Sequence, residues 1–240
     1  MNLIAALCVL AAYVIGSFPT ALLVGKANGI DLRTVGSGNL GATNVLRNIG
    51  WKAGLTVYVI DMLKGVLPVV ALPRLSGVTQ NSPWPVVFGI AAIVGHVRPI
   101  FLLGKAGGKG VATASGVFLG LAPLAAGIAF VAFVITTAIS KFVSLGSLVG
   151  AVALVGAMWI HERAITPLLI ITACVAAFVF FTHRDNIKRL RNGTERKIGR
   201  TKTDIAHELN NVTAGNAASI THENASNGTL QSTTPANVNE

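Results

Sequence analysis

Long apolar runs alternate with short polar segments along the chain. The apolar runs fall at residues 3–25, 53–73, 84–103, 111–139, 144–160 and 164–182. Each approaches or exceeds the roughly 20 residues that carry a helix across the hydrocarbon core of a bilayer, where backbone polar groups must be paired within the segment. The pattern predicts an all-α integral membrane protein. The first run, "MNLIAALCVLAAYVIGSFPTALLVGK", lacks a basic start and exceeds the apolar core of a signal peptide, so it reads as a retained first span. Residues 111–139 fit one long tilted helix, or two short ones broken near "GLAPLAAG", where Gly120 and Pro123 weaken helix continuity.

Charge chooses between these readings, because Lys and Arg near the membrane gather on its cytoplasmic side. With the uncharged N-terminus outside, Lys26, Arg33, Arg47, Lys52, Lys105 and Lys109 lie inside and Arg74 outside. If 111–139 crosses twice, Lys141 and the basic run from Arg184 to Lys202 also fall inside, and Arg163 outside. A single crossing puts Lys141 and that run outside. About seven transmembrane helices, N-terminus outside and C-terminus cytoplasmic, are therefore expected. The formal net charge of +10 then concentrates on one face, where it attracts anionic lipid and anionic solutes.

Composition agrees with this picture. Only 12% of the 240 residues are charged, about half the share in a soluble domain. Cys8 and Cys174 sit inside apolar runs and read as small buried hydrophobes, without a disulfide framework or metal site. After Thr203 the chain turns to Asn, Thr, Ser, Ala and Gly. Such a segment lacks the apolar surface to offset ordering entropy, so a membrane domain over 1–200 and a disordered tail over 201–240 are expected. In a cytoplasmic tail the N-x-S/T sequences at Asn211, Asn224 and Asn227 carry no meaning.

Three polar clusters fall on the predicted cytoplasmic face. The first is "TVGSGNLGATNVLRNIG" (34–50). Gly36, Gly38 and Gly41 permit turns and close approach of a ligand to the main chain. Ser37, Asn39, Thr43 and Asn44 add neutral donors, and Arg47 offers a fork suited to phosphate oxygens. The glycines alone fit a juxtamembrane turn equally well; the density of donors favours an anion site of N–H groups opening into a helix. The second cluster, "VGHVRPIFLLGKAGGKGVATASG" (94–116), is not a P-loop, because Gly110 stands where Ser or Thr would follow Lys109. Its Gly107, Gly108 and Gly110 are expected to bare N–H groups beside Lys109, and His96 lies just inside the preceding span. The third, "THRDNIKRLRNGTERKIG" (182–199), holds more than a basic stop segment requires, notably His183, Asn186 and Glu195. Asp61 and Lys64, three apart on the second span, read as a mutually neutralising structural pair.

Other chemistries drop out. His161-Glu162 runs into Arg163 and Ala164, so no H-E-x-x-H motif exists, and no His stands five positions before an Asp. Leu190 occupies the place of the Asn that a kinase-type H-R-D loop needs. Acidic residues are too few for a metal cage or a paired-carboxylate hydrolase. No nucleic-acid partner is expected.

Taken together, "GSGNLGATNVLR", "GHVRPIF" with "GGKGVAT", and "HRDNIKRLRNGTERK" resemble the three signature motifs of the bacterial acyl-phosphate:glycerol-3-phosphate acyltransferases, over about residues 3–199. The resemblance implies a seven-helix enzyme of the bacterial inner membrane whose site faces the cytoplasm. Such an enzyme moves a fatty acyl group from acyl phosphate to the 1-hydroxyl of glycerol 3-phosphate, without a cofactor, coenzyme A or acyl carrier protein. Carried over residue by residue, Arg47, Lys109, His183 and Asn186 orient glycerol 3-phosphate. Ser37, Thr43 and Asn44 hold the acyl phosphate head or the transition state, with Ser144 or Ser147 as further donors. Gly36, Gly38, Asn39, Gly41, His96, Gly107, Gly108, Gly110, Arg189 and Glu195 complete the expected binding set. Two departures stand out: Leu40 occupies a frequent Pro position, and Ala106 separates Lys105 from the glycine pair. A transporter of a phosphorylated solute is the rival reading, but such proteins place the site near the midplane between repeated halves. Here the polar residues gather at one face and no repeat is visible.

Overall fold

The computed structural model describes residues 3–103 and 105–199. Ten α-helices and one 3-10 turn occur among them: α1 (Leu3–Ser17), α2 (Thr20–Ala27), α3 (Ala42–Asn48), α4 (Trp51–Ser76), α5 (Trp84–Val97), the turn Ile100–Leu102, α6 (Val111–Leu121), α7 (Pro123–Ser140), α8 (Val143–Glu162), α9 (Pro167–Thr182) and α10 (Arg184–Arg191). The expected tail over 201–240 lies outside the described residues.

Polarity is inverted relative to a soluble bundle. Leu3, Leu7, Leu67, Ile135, Ile139, Ile160 and Phe181 are exposed, whereas Asp61, Lys64, His96, Ser144 and Glu195 are buried. That is the arrangement a hydrocarbon solvent selects.

The long apolar stretch after Lys109 is two helices. Pro123 occupies the first turn of α7, where it lacks no needed N–H, and Ala122 leaves helical geometry at φ −146°, ψ 72°. Both ends of the stretch line the same polar cavity, through Lys109–Gly110 at one end and Val143–Ser144 just beyond the other. The chain therefore leaves that face along α6 and returns along α7.

Among the described residues, five segments suit a membrane span by length and composition: Leu3–Ala27, Trp51–Ser76, Trp84–Leu102, Pro123–Ser140 and Val143–Glu162. A sixth is added if α9 and α10, bent by 59° at His183, count together. This is fewer than the seven expected. The shortfall lies in α6, whose 11 residues extend about 16 Å, roughly half of a hydrocarbon core.

Helices in lipid gain little from hiding apolar area from one another, so close backbone approach carries much of the packing. Glycines make that approach possible between α4 and α6. A Cβ on Gly65 would stand 2.1 Å from the Thr113 carbonyl oxygen, and one on Gly116 would stand 1.9 Å from that of Met62. Near the polar end, buried Leu32, Leu40, Val45 and Val57 fasten residues 30–48 onto α4. At the far side Phe118, Leu154, Met158 and Leu169 tie α6, α8 and α9 together.

Gly65→Val is expected to lower the thermal unfolding midpoint in detergent, by an overpacking cost of about 1–3 kcal/mol or more. Gly127→Ala, whose added Cβ meets nothing within 4 Å, should leave the midpoint unchanged or raise it.

Candidate active site

The 34–50 segment owes its shape to Asn44. Its Nδ2 donates to the carbonyls of Leu32 (3.1 Å) and Val35 (3.2 Å), and its Oδ1 accepts from Ser37 N–H (3.1 Å) and Asn48 Nδ2 (3.0 Å). A Cβ at Gly36 would meet Asn44 Oδ1 at 2.3 Å, and Gly36 itself is left-handed at φ 65°. The side chain expected to touch substrate is thus committed to holding the loop. Two of the loop's N–H groups are spent inside it, since Ser37 N–H goes to Asn44 and Gly38 N–H to the Val35 carbonyl. What the loop presents to the cavity are the side chains of Ser37, Asn39, Thr43 and Arg47, with Gly41 at the start of α3.

The second loop departs from expectation in the same way. Gly107 N–H donates to the Val97 carbonyl (3.0 Å) and Gly108 N–H to that of His96 (3.3 Å). These glycines let the loop fold back against α5: a Cβ at 107 would lie 2.2 Å from the His96 carbonyl oxygen, and one at 108 would lie 2.0 Å from His96 Nε2. They are packing glycines and not an anion nest. His96 supports the loop from beneath, with Nδ1 3.9 Å from Asp61 Oδ1, while Lys64 bonds Asp61 at 2.6 Å. Gly110, at φ 83°, opens α6 and leaves Lys109 directed at the third cluster. Asn39 Nδ2 reaches the Gly107 carbonyl at 3.4 Å, so the first two loops touch.

In the third cluster Glu195 is the hub. Its side chain is 1% exposed. Oε1 accepts from Ser144 Oγ (2.9 Å) and Asn186 Nδ2 (2.7 Å), Oε2 accepts from Arg189 Nε (2.7 Å), and Arg47 Nη2 lies 3.9 Å away. Burial pushes this carboxyl upward, but the bonds from Asn186, Arg189 and Ser144 prevail and hold it below the usual carboxylate range. Lys109 Nζ bonds Asn186 Oδ1. Arg47 Nη2 donates to the Arg196 carbonyl at 2.5 Å, while its buried Nε has no hydrogen-bond partner.

These loops close around a polar cavity of about 110 Å³, which opens into a wider mouth of about 790 Å³. Ser37, Asn39, Arg47, Lys109, Asn186 and Glu195 line both. Thr43, Asn44, Gly41, His96, Gly110, Ser144, Ser147 and His183 line the inner part, and Gly36, Gly38, Gly107, Gly108 and Arg189 the mouth. Every residue of the expected substrate site therefore borders one continuous space. On its other side the polar cavity meets an apolar one lined by Ala114, Phe118, Phe130, Leu154, Val175 and others, and Tyr58, Val111, Phe133 and Ser147 line both. Tyr58 was not singled out in the sequence. Its only signal there is its place three residues before Asp61, on the same face of α4.

Ionisation shapes what this space holds. Burial lowers Lys109 to about 8, with Arg189 and Arg47 adding and Glu195 and Asp185 opposing. Burial also lowers Arg47, against Glu195, yet a guanidinium remains charged at neutral pH. His183 falls to about 4 through burial and then Lys109. Its Nδ1 sits 2.8 Å from the Val179 carbonyl, which only accepts, so Nδ1 carries the proton and Nε2 is left as an acceptor. Three cations around one carboxylate leave a net positive pocket suited to an anion. Among the described residues no group of three His, Cys, Asp or Glu is placed to hold a metal ion.

Comparison with known proteins places the chain in a family. Residues 6–193 match the glycerol-3-phosphate acyltransferase family. The chain is 46% identical over 187 residues to the glycerol-3-phosphate acyltransferase of Geobacter sulfurreducens, covering 78% of this chain and 93% of that one. It also resembles crystal structures of PlsY (YgiH), an integral membrane glycerol 3-phosphate acyltransferase. The glycerol 3-phosphate form superposes with a TM-score of 0.74 at 34% identity, over 81% of this chain and 96% of that one. The lysophosphatidic acid form gives 0.72 at 33% identity, over 81% and 95%. A positive pocket at the polar end of an inverted-polarity bundle, carried by a sequence this similar, has one reading: the chain belongs to the glycerol-3-phosphate acyltransferase family and is a membrane acyltransferase.

Proposed function

We propose that the protein transfers a fatty acyl group from acyl phosphate to the 1-hydroxyl of sn-glycerol 3-phosphate, releasing 1-acyl-sn-glycerol 3-phosphate and phosphate. The observation that carries this reading is the join between a cationic, hydroxyl-lined cavity and an apolar one. Such a space accepts a molecule with an anionic head and a hydrocarbon chain, alongside a small anionic partner. The glycerol 3-phosphate and lysophosphatidic acid forms of the similar PlsY structures support the two ends of the reaction.

Arg47 and Lys109 bind phosphate oxygens, Arg47 through a fork already fixed by the Arg196 carbonyl and Glu195. Ser37 and Thr43 offer hydroxyls to the second phosphate. Asn186 is oriented by Glu195 and holds Lys109 in place. An acyl phosphate is a mixed anhydride with a good leaving group, so orientation and charge stabilisation suffice without a covalent enzyme intermediate. The 1-hydroxyl attacks the carbonyl carbon and the bond to phosphate oxygen breaks. With a pKa near 4, His183 is neutral at pH 7 and a poor base. Its Nε2 accepts the hydrogen bond that aims the hydroxyl, and the substrate phosphate takes the proton.

The reading includes seven crossings, N-terminus outside, with the site on the cytoplasmic face of the bacterial inner membrane. It rests on the gathering of Lys26, Arg47, Lys52, Lys109, Lys141 and Arg184 at the site's end of the bundle. A cysteine placed at Lys105 should react with an impermeant maleimide in inside-out vesicles and stay unlabelled in intact cells; the opposite result reverses the orientation.

Purified protein given palmitoyl phosphate and labelled glycerol 3-phosphate is expected to form lysophosphatidate with no thioester added. Product from palmitoyl-coenzyme A alone would overturn the donor assignment, and product from neither donor would overturn the reaction.

Arg47→Ala and Lys109→Ala should each lower kcat/KM for glycerol 3-phosphate by about 100-fold or more while the protein still inserts. Lys109 is cationic below its pKa of about 8 and neutral above it. The wild-type kcat/KM, which reports the free enzyme, should therefore fall as pH rises through about 8. The residual activity of Lys109→Arg should lack that alkaline limb.

A further inference from the structure

An acyl phosphate seated across the two cavities puts its phosphate in the polar one and its chain in the apolar one. Its carbonyl must then lie at their boundary. Among the described residues that line both spaces, two carry a side-chain hydroxyl, Tyr58 on α4 and Ser147 on α8.

They differ in what already holds them. Ser147 Oγ donates to the carbonyl of Val143 one turn earlier, at 3.0 Å. Tyr58 Oη lies 3.3 Å from Ser115 Oγ. Ser115 donates its own proton to the Ala112 carbonyl at 2.7 Å, so the proton in the Tyr58–Ser115 contact belongs to Tyr58. At 3.3 Å that is a long hydroxyl–hydroxyl bond, and its proton is the one most easily redirected.

We infer that Tyr58 is a catalytic residue that donates its phenolic hydrogen bond to the acyl carbonyl oxygen and stabilises the oxyanion formed there. The inference rests on the acyl-phosphate reading above. As the 1-hydroxyl of glycerol 3-phosphate adds to the carbonyl carbon, negative charge collects on the carbonyl oxygen, and Tyr58 shares its proton with that oxygen without giving it up. The carbonyl re-forms, the bond to the phosphate oxygen breaks, and the hydroxyl's proton leaves on phosphate. The cationic groups cannot perform this task while they hold phosphates. Val111 and Phe133 add apolar walls at the boundary, and an apolar surround raises the worth of one fixed donor.

The test compares Tyr58→Phe with Ser115→Ala in the full-length protein, using palmitoyl phosphate and glycerol 3-phosphate. Tyr58→Phe should lower kcat at least about 10-fold, as loss of an oxyanion donor does. KM for each substrate should stay within about threefold and the unfolding midpoint near that of wild type. Ser115→Ala removes the resting partner but leaves the phenol, and should retain kcat within about threefold. A helix tie between α4 and α6 would make the two variants fall together, and that outcome overturns the inference. So do full kcat in Tyr58→Phe, a loss carried only in KM, or failure of Tyr58→Phe to accumulate in the membrane. An inactive wild type with palmitoyl phosphate overturns the parent reading; an active wild type with an active Tyr58→Phe overturns this one alone.

Discussion

A buried carboxylate sets the terms for the polar end of this protein. Glu195 arrives on the segment after α10 and is reached by Ser144 of α8, by Asn186 and Arg189 of α10, and at longer range by Arg47 of α3. A charge withdrawn from water is tolerated only when its oxygens are hydrogen-bonded and opposite charge stands nearby. Satisfying Glu195 therefore compels three parts of the chain, far apart in sequence, to meet at one place. The cavity is what remains between them.

The same arrangement gives the pocket a fixed set of cations, as the proposed reaction requires. One carboxylate orders Arg47, Asn186 and Arg189, and Asn186 in turn orders Lys109. Positive charge stays in excess, and burial pulls Lys109 down to about 8. Cations gathered this closely repel one another, and in the proposed reaction a dianion would relieve that repulsion. Preorganisation of this sort lowers the reorganisation needed when charge shifts in the transition state.

Several backbone donors of the glycine-rich segments are spent within the loops themselves. Gly107 and Gly108 are required because the loop lies directly on the end of α5 and on the His96 ring. Their N–H groups close that contact. Asn44 likewise is a brace for its loop. In both segments small and amide residues build the support, and the longer side chains of Arg47 and Lys109 meet the cavity.

The sequence by itself determined the inverted polarity and the identity of three polar clusters on one face, and it offered a helix break near Pro123 that charge asymmetry favoured. These are local properties: hydrophobic run length, the chemistry of proline, and the sign of charge near a membrane. It also named most of the polar residues around the cavity, because functional side chains cluster in short motifs. Tertiary structure alone decided which of them are struts and which face the open space. Whether a Gly N–H is free or an Asn amide is occupied depends on which distant carbonyl packs against it. The place of Tyr58 was hidden for the same reason. Along α4 it is one aromatic residue in an apolar run, and it gains a boundary position only because α6, α7 and α8 fold back to form two cavities on either side of it.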